Sequence, residues 1–430
     1  MTRTELLSSK DFQGAEIPGA SFTLPSASIA IGTKTLEKVS LIGRYDSHGQ
    51  VYLEADNPNG LQGFIEASQQ NARCSSPCFP KPVELIPIEV NMEKFTFFPT
   101  RQPMQLNFGN SATKVEAALL NGPDLSHAGG EILIERGSKS LRLHDNPEVQ
   151  SMSKNRSTDK SHRYQRLVTN FVTIEGDNIS SEEALLFLTQ LSNVLTLVRG
   201  GYSGFGNICG YDHNENLTFA HLGFFSSDHF AIPNGWCSGK IVRELPTIFN
   251  LYHGLENLAD RQVLKRTVEF YRASNVSREH SLEVALVASF AGLEAIVPHL
   301  LRTQGGWSEQ LLRSKIPFSD LLRAAIALIG LDGNPMEHLN DFEKRAASDA
   351  NKDACTMLSK FRNNTIHYKS GFDRTGREVL EAWELAQWLC ELMMIYLINY
   401  RSVMTDRRKY SGWIGDNEVD VPIRNSPIGH

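Results

Sequence analysis

Glu378-Val379-Leu380-Glu381-Ala382-Trp383-Glu384-Leu385-Ala386-Gln387-Trp388-Leu389-Cys390-Glu391-Leu392-Met393-Met394-Ile395-Tyr396-Leu397 reads as one uninterrupted helix, running on to about Tyr400. Val379, Trp383, Ala386, Cys390, Met393 and Leu397 share one helical register, and apolar residues spread well beyond that stripe. A helix apolar over so wide a face has to be buried. It is therefore expected to be the most buried helix of a bundle, with surface to spare for an oligomer contact.

The segments before it support a bundle. From about residue 240 the chain reads as helix after helix, with no internal repeat. Ser281 is placed to cap a helix carrying Leu286, Phe290, Leu293, Val297 and Leu300 on one stripe, which Pro298 should kink. Ser319 is read as the cap of a second helix with Leu322, Ala325, Ile326 and Ile329, stopped by Gly330. One polar helix, or a pair, is expected between Met336 and Phe361.

The first 175 residues carry the other period. Lys38–Tyr45 and Gln50–Ala55 alternate on either side of Asp46-Ser47-His48-Gly49, a hairpin pattern. Val83–Val90 contains Pro87, which removes a ladder donor, and is read as an edge strand. Glu131–Arg136 and Ser140–Leu143 form a second hairpin pattern, and Arg166–Ile174 a further strand. Ser180-Ser181-Glu182-Glu183 opens a helix to about Val198, with serine caps and acids in its first turn. Strand-like pieces follow at Leu217–Ala220 and Phe224-Phe225. The expected class is α+β: a β-rich sandwich- or barrel-like domain over 1–240, a helical bundle over 241–410 and a tail over 411–430.

Just before the last helix stands Phe361-Arg362-Asn363-Asn364-Thr365-Ile366-His367-Tyr368. Arg is a fixed-charge fork for phosphate and His moves protons near neutral pH. The spacing alone is weak, since Arg156…His162 matches it within the polar tract Ser151–His162. On a straight helix, residues five apart point about 140° away from each other. The helix must therefore distort or end at the motif, the Arg must reach around, or two subunits must face their motifs together. Lys360, Arg362, Lys369, Arg374 and Arg377 make a basic island with Asp373 its one acid, in a chain whose net charge is −6. Such an island supplies salt-sensitive phosphate affinity; its bland alternative is a solvated loop.

The Arg-Asn-x-x-x-His segment resembles the signature of HEPN domains. Ala288-Ser289-Phe290-Ala291-Gly292-Leu293-Glu294-Ala295-Ile296 resembles an early core helix of those domains, and the long final helix fits as well. A β-rich first half before such a bundle is similar to the ApeA-like HEPN proteins of bacterial anti-phage defence. The resemblance covers roughly residues 260–400, and is looser over 1–240. It implies a four- or five-helix bundle that dimerises and forms a metal-independent endoribonuclease site from paired motifs, with no cofactor. On that resemblance Arg362 and His367 take the catalytic positions, Asn363 the polar one beside them, and Glu294 orients Arg362. Lys360, Lys369, Arg374 and Arg377 would then contact RNA. Unstacked tRNA loops are one target class, and DNA, lacking the 2′-hydroxyl, is expected to be inert.

Other candidates read as structural. His213, His221 and His229 lack an acidic partner in ligand spacing, and Cys74 and Cys78 lack a second pair. Gly200–Gly206 fits neither a nucleophile elbow nor a phosphate loop, and Ser151-x-x-Lys154 sits in loop sequence. No Walker motif is present, so no ATP dependence is expected. Met1–Leu6 has no apolar signal core, no uninterrupted apolar run is long enough to cross a bilayer, and a cytoplasmic location is expected.

Two functions remain in play. One is a toxin-like RNase of abortive infection, whose β domain senses a phage-derived trigger or restrains the bundle. The other is a non-catalytic protein whose β domain binds a ligand while the bundle oligomerises. They differ in what Arg362 and His367 do.

Overall fold

The computed structural model describes residues 21–32, 34–46, 49–56, 71–90, 93–109, 111–147, 167–229, 235–237, 239–350, 352–367, 372–409 and 417–427. Arg156…His162, Tyr368 and Lys369 lie outside these residues. The chain divides into two compact units, Met1–Ser192 with Ser203–Ala231, and Asn193–Tyr202 with Ile232–His430.

The first unit begins with strands β1 (Ser21–Ile31), β2 (Lys34–Tyr45), β3 (Val51–Asp56), β4 (Ala72–Ser75), β5 (Val83–Val90) and β6 (Lys94–Pro99). They close into an antiparallel barrel in the order β1-β2-β3-β6-β5-β4. Period-two alternation puts Leu53, Phe95 and Phe97 inside it, fully buried. Gly43 leaves room for an aromatic ring, since a Cβ there would lie 2.1 Å from Phe22 Cζ. The β2–β3 hairpin closes at Tyr45 opposite Val51, where Asp46 Oδ1 accepts from the Gln50 amide at 2.8 Å and Gly49 takes φ +78°.

Pro87 does not mark an edge strand. β5 lies between β4 and β6 in the closed barrel, but β4 pairs only with Val83–Leu85. Pro87 stands beyond that short partner and beside a register shift against β6. The missing amide is tolerated because the ladder is already interrupted there.

Seven further strands follow: β7 (Met104–Asn107), β8 (Ala112–Leu120), β9 (Glu131–Arg136), β10 (Lys139–Asp145), β11 (Val168–Ile179), β12 (Gly204–Tyr211) and β13 (Leu217–Phe224). They form one sheet in the order β7-β13-β12-β8-β11-β10-β9. In the β9–β10 hairpin Arg136 stands opposite Lys139, and Gly137 supplies the positive φ (+62°) that a two-residue loop demands. Leu106, Leu120, Cys209 and Leu222 of the sheet share one core with the barrel. Helix α1 (Ser181–Arg199) interrupts the strands. It starts on a reciprocal cap: the Glu183 amide donates to Ser180 Oγ at 3.2 Å and the Ser180 amide to Glu183 Oε2 at 3.1 Å.

The last turns of α1 belong to the second unit. There the Trp236 indole donates to the Leu197 carbonyl at 3.0 Å and Asn275 Nδ2 to the Gly200 carbonyl at 3.2 Å. The unit continues with α2 (Leu245–Gly254), α3 (Leu258–Ser277), α4 (Leu282–Thr303), α5 (Glu309–Leu312), α6 (Phe318–Ile329), α7 (Asn340–Ser348), α8 (Ala354–Ile366) and α9 (Gly376–Leu397). Ser281 caps α4, accepting from the Val284 amide at 3.3 Å, and Pro298 lies inside that helix. Ser319 is not a cap: α6 begins at Phe318, and Pro317, two residues before Ser319, holds the cap position with its fixed φ (−58°). Gly330, at φ +66°, ends α6 as expected.

Helix α9 is the centre of the bundle. It packs against α3, α4, α7 and α8, and its residues from Leu385 to Leu397 are buried without a break. The apolar surplus expected to reach a second subunit is spent inside the chain. By length and apolarity α4 could cross a membrane, but Leu286, Phe290, Leu293 and Leu300 are buried within the unit. The expected tail folds back over its described residues: β14 (Val403–Thr405) pairs with β15 (Glu418–Asp420), and Leu331 bridges Ile423.

Candidate functional site

Helix α8 carries Arg362, Asn363 and, at its end, His367. Asp353 starts it, accepting from the amides of Cys355 and Thr356 at 2.9 and 3.1 Å. Ala354, Met357, Leu358 and Phe361 fall on one helical face and are buried. Phe361 is the deepest anchor, tilted against Phe342 at 5.4 Å between centroids. At 100° per residue, the next side chain round the helix lies at the rim of that face. That side chain is Arg362.

Arg362 Nη2 donates to Glu294 Oε1 on α4 at 3.0 Å, and Nη1 donates to Asn363 Oδ1 at 3.1 Å. Its guanidinium carbon sits 5.6 Å from the centroid of the Phe290 ring. Glu294 lies at the edge of α4 because its neighbour Leu293 is the core residue. Two acceptors and a ring thus fix the orientation of the fork, whose side chain remains 26% exposed.

The helix ends within the motif, one of the alternatives that the spacing left open. Ile366 is its last residue and His367 its cap, with extended backbone (φ −115°, ψ 94°) and its amide bonded to the Asn363 carbonyl at 2.8 Å. The imidazole is exposed and has no hydrogen-bond partner among the described residues. The structure thus brings together Arg362, Asn363, Glu294 and the helix end that bears His367.

The basic island is neutralised by carboxylates, Asp349 and Glu283 from elsewhere in the chain and Glu381 from the same helix as Arg377. Lys360 is bonded to Asp349, and Arg374 Nη2 lies 3.8 Å from Glu283 Oε1. Arg377 donates to Glu381 at 2.8 Å, while the other oxygen of Glu381 accepts from the amides of Asp341 and Phe342 that open α7. Arg374 also donates to Thr365 Oγ1. Each described cation of the island, Arg362 included, has an acidic partner.

Sequence reading passed over the buried charges of the second unit. Tyr271 donates to Glu391 Oε1 at 2.6 Å and Arg407 makes a two-pronged ion pair with the same carboxylate. Burial pushes Glu384, one turn beyond Glu381, up to about 7 despite Arg377, Arg407 and Arg278 nearby. The legible signal was three glutamates, 381, 384 and 391, inside an otherwise apolar helix. In the first unit His221 Nε2 lies 2.8 Å from Ser181 Oγ, and burial lowers its imidazole to about 4. Among the described residues no three His, Cys, Asp or Glu side chains gather as metal ligands, and Cys74 and Cys78 are free thiols.

This helical geometry lies within a stretch that has a known relative. Residues 257–419 match the YopA C-terminal domain family. The match runs from the cap of α3 into β15, and so includes Glu294, Arg362 and His367. No curated protein matches the chain, and no solved structure matches it.

Proposed function

We propose that the helical unit is an endoribonuclease of HEPN type, metal-independent and composite across two copies of the chain, serving in anti-phage defence under control of the β-rich unit. The observation that carries this reading is one arrangement: an arginine fork oriented by Glu294 and Asn363, with an exposed histidine at the end of the same helix that has no side-chain partner among the described residues. The resemblance of the motif and its flanking helices supports it.

In this mechanism the RNA 2′-oxygen attacks the adjacent phosphorus and loses its proton to an imidazole. The bond from phosphorus to the 5′-oxygen breaks, and that oxygen takes a proton from an imidazolium. The products are a 2′,3′-cyclic phosphate and a 5′-hydroxyl. Arg362 holds the extra negative charge of the phosphorane. One imidazole cannot stand on both sides of the phosphorus, whereas two copies bring two. The substrate class is RNA with unstacked loops, tRNA among them.

A second reading is favoured by the neutralised island. With Lys360, Arg374 and Arg377 committed to Asp349, Glu283 and Glu381, the surface has less charge to offer a phosphate chain. A non-catalytic scaffold would look the same. Cleavage of total bacterial RNA in EDTA, beside His367→Ala, separates the two. The nuclease reading expects cleavage that the variant loses by a factor of about 100 or more. Cleavage that survives in His367→Ala, or none by either protein with any phage lysate added, would sink it.

A further inference from the structure

The imidazole of His367 makes no side-chain bond among the described residues, and what those residues offer to place it is backbone. Upstream that backbone is the last turn of α8, closed by the His367 amide on the Asn363 carbonyl at 2.8 Å. Thr365 Oγ1 and Asn364 Nδ2 bond back to the Phe361 and Lys360 carbonyls at 2.9 and 2.8 Å and tighten the same turn.

Downstream, the chain is caught again on that turn at two points. Phe372 packs edge-on against Phe361, with ring centroids 5.3 Å apart and planes at 84°. Two cations flank its ring, Arg345 at 4.8 Å and Lys360 at 5.0 Å from the centroid. Arg374 then donates to the Thr365 hydroxyl and reaches Glu283 of α4. Phe361 and Thr365 are thus the receiving residues, and both stand within two turns of His367.

We propose that Phe372 and Arg374 are positioning residues for His367, fastening the chain downstream of it onto the final turns of α8 so that the imidazole is held through its backbone. This rests on the nuclease reading for its consequence, but not for its geometry. It moves Arg374 from contact with RNA to support of the histidine. A fixed fork and a wandering imidazole would waste the geometry that Glu294 supplies, because a misplacement of about 1 Å can cost a hundredfold in rate.

The test uses the full chain with carbon-13-labelled histidine, the His367 signal being identified by its loss in His367→Ala. Thr365→Val removes the acceptor of the Arg374 bond without changing charge, and Phe372→Leu removes the ring clamp. Both should broaden or split the His367 signal while the other histidines keep theirs. Both should lower kcat on RNA about tenfold or more, with KM within twofold and an unchanged salt dependence. Thr365→Val joined to Arg374→Ala should be no worse than Arg374→Ala alone. If Arg374 instead holds phosphate, Thr365→Val changes nothing, and Arg374→Ala raises KM and flattens the salt dependence; that result overturns the proposal. So does a His367 signal that stays sharp in both variants. If wild type cleaves no RNA, the nuclease reading fails by itself, and the histidine signal alone decides whether the tether exists.

Discussion

The two units differ in the buried ion pairs that only one of them holds in number. In the β-rich unit the buried polar groups are chiefly amides and hydroxyls that satisfy backbone. Asn121 receives the Leu167 amide at 2.9 Å, Asn146 donates to the Val168 carbonyl at 2.8 Å, and Thr169 receives the Gly122 amide at 2.6 Å. The helical unit buries neutral groups too, such as Ser274, Asn275 and Gln387, but adds bonded pairs: Asp260 with His299, Glu391 with Arg407 and Asp406 with Arg408. A sheet closes its own backbone ladder, so its loops need only neutral patches. Helices that meet side by side leave side chains to set the register, and a buried ion pair is intolerant of slippage.

The sharpest way to break this contrast is to remove one charge of a buried pair. Glu391→Ala leaves Arg407, 9% exposed, and the Tyr271 hydroxyl without their partner. We expect a loss of about 3–5 kcal/mol in urea unfolding. Glu391→Leu with Arg407→Met should cost much less than either single change, since no orphan charge remains. A single-variant cost below about 1 kcal/mol would mean that the helices are registered by packing alone.

Titration gives a second contrast, of opposite sign in the two units. Burial raises Glu384 to about 7, so the folded chain holds a proton that the unfolded chain has released above about 4.5. Stability therefore falls as pH rises through that window. Glu384→Gln, which is never charged, should gain up to about 3 kcal/mol over wild type at pH 8 and nothing at pH 4. His221, lowered to about 4, behaves the other way. The unfolded chain binds its proton first, so stability is full above about 6.5 and is lost as pH falls toward 4. Parallel melting curves of wild type and the two Gln substitutions, Glu384→Gln and His221→Gln, across this range would expose both slopes. Equal pH dependence in all three proteins would remove the contrast.

Much of the fold was legible because it depends on neighbours in sequence. Alternation in β2, the Gly137 turn and the Ser281 cap are decided within a few residues, and so is the end of α8 at His367. Ser319 and Pro87 misled because a residue's usual role was read without its partner: Pro317 already starts α6, and the short β4 leaves Pro87 a place inside a barrel. Arg362, Asn363, His367 and Glu294 were singled out from spacing and resemblance, and the bonds of Arg362 to Glu294 and Asn363 agree with that grouping. Most of the neutralised island was not legible, because Asp349 and Glu283 come from distant parts of the chain; only Glu381, one turn from Arg377 on α9, was readable as its partner and was passed over. Thr375 was readable and passed over: its hydroxyl receives the Glu378 amide at 3.1 Å and Glu378 answers at 2.7 Å, the reciprocal cap that starts α9. Thr375→Ala should cost about 1 kcal/mol, an effect set by the helix end rather than by buried charge.

The smallest effect on stability should come from the pair at the site itself. Glu294 and Arg362 are partly exposed, 40% and 26%, unlike Glu391 and Arg407. Exposed pairs contribute about 0–1 kcal/mol because water screens them and holding two long side chains costs entropy. Glu294→Gln keeps an acceptor for Arg362 Nη2, and Glu294→Ala removes it. Both should unfold within about 1 kcal/mol of wild type. If the pair exists to aim the fork, RNA cleavage should separate what unfolding does not: the Gln variant retains most activity and the Ala variant loses it by tenfold or more, about 1.4 kcal/mol of transition-state stabilisation. A Glu294→Ala variant that is both stable and fully active would show that Arg362 needs no guide. An unstable one would place this pair with the buried charges of α9, and the contrast between structural and site charges within the helical unit would be lost.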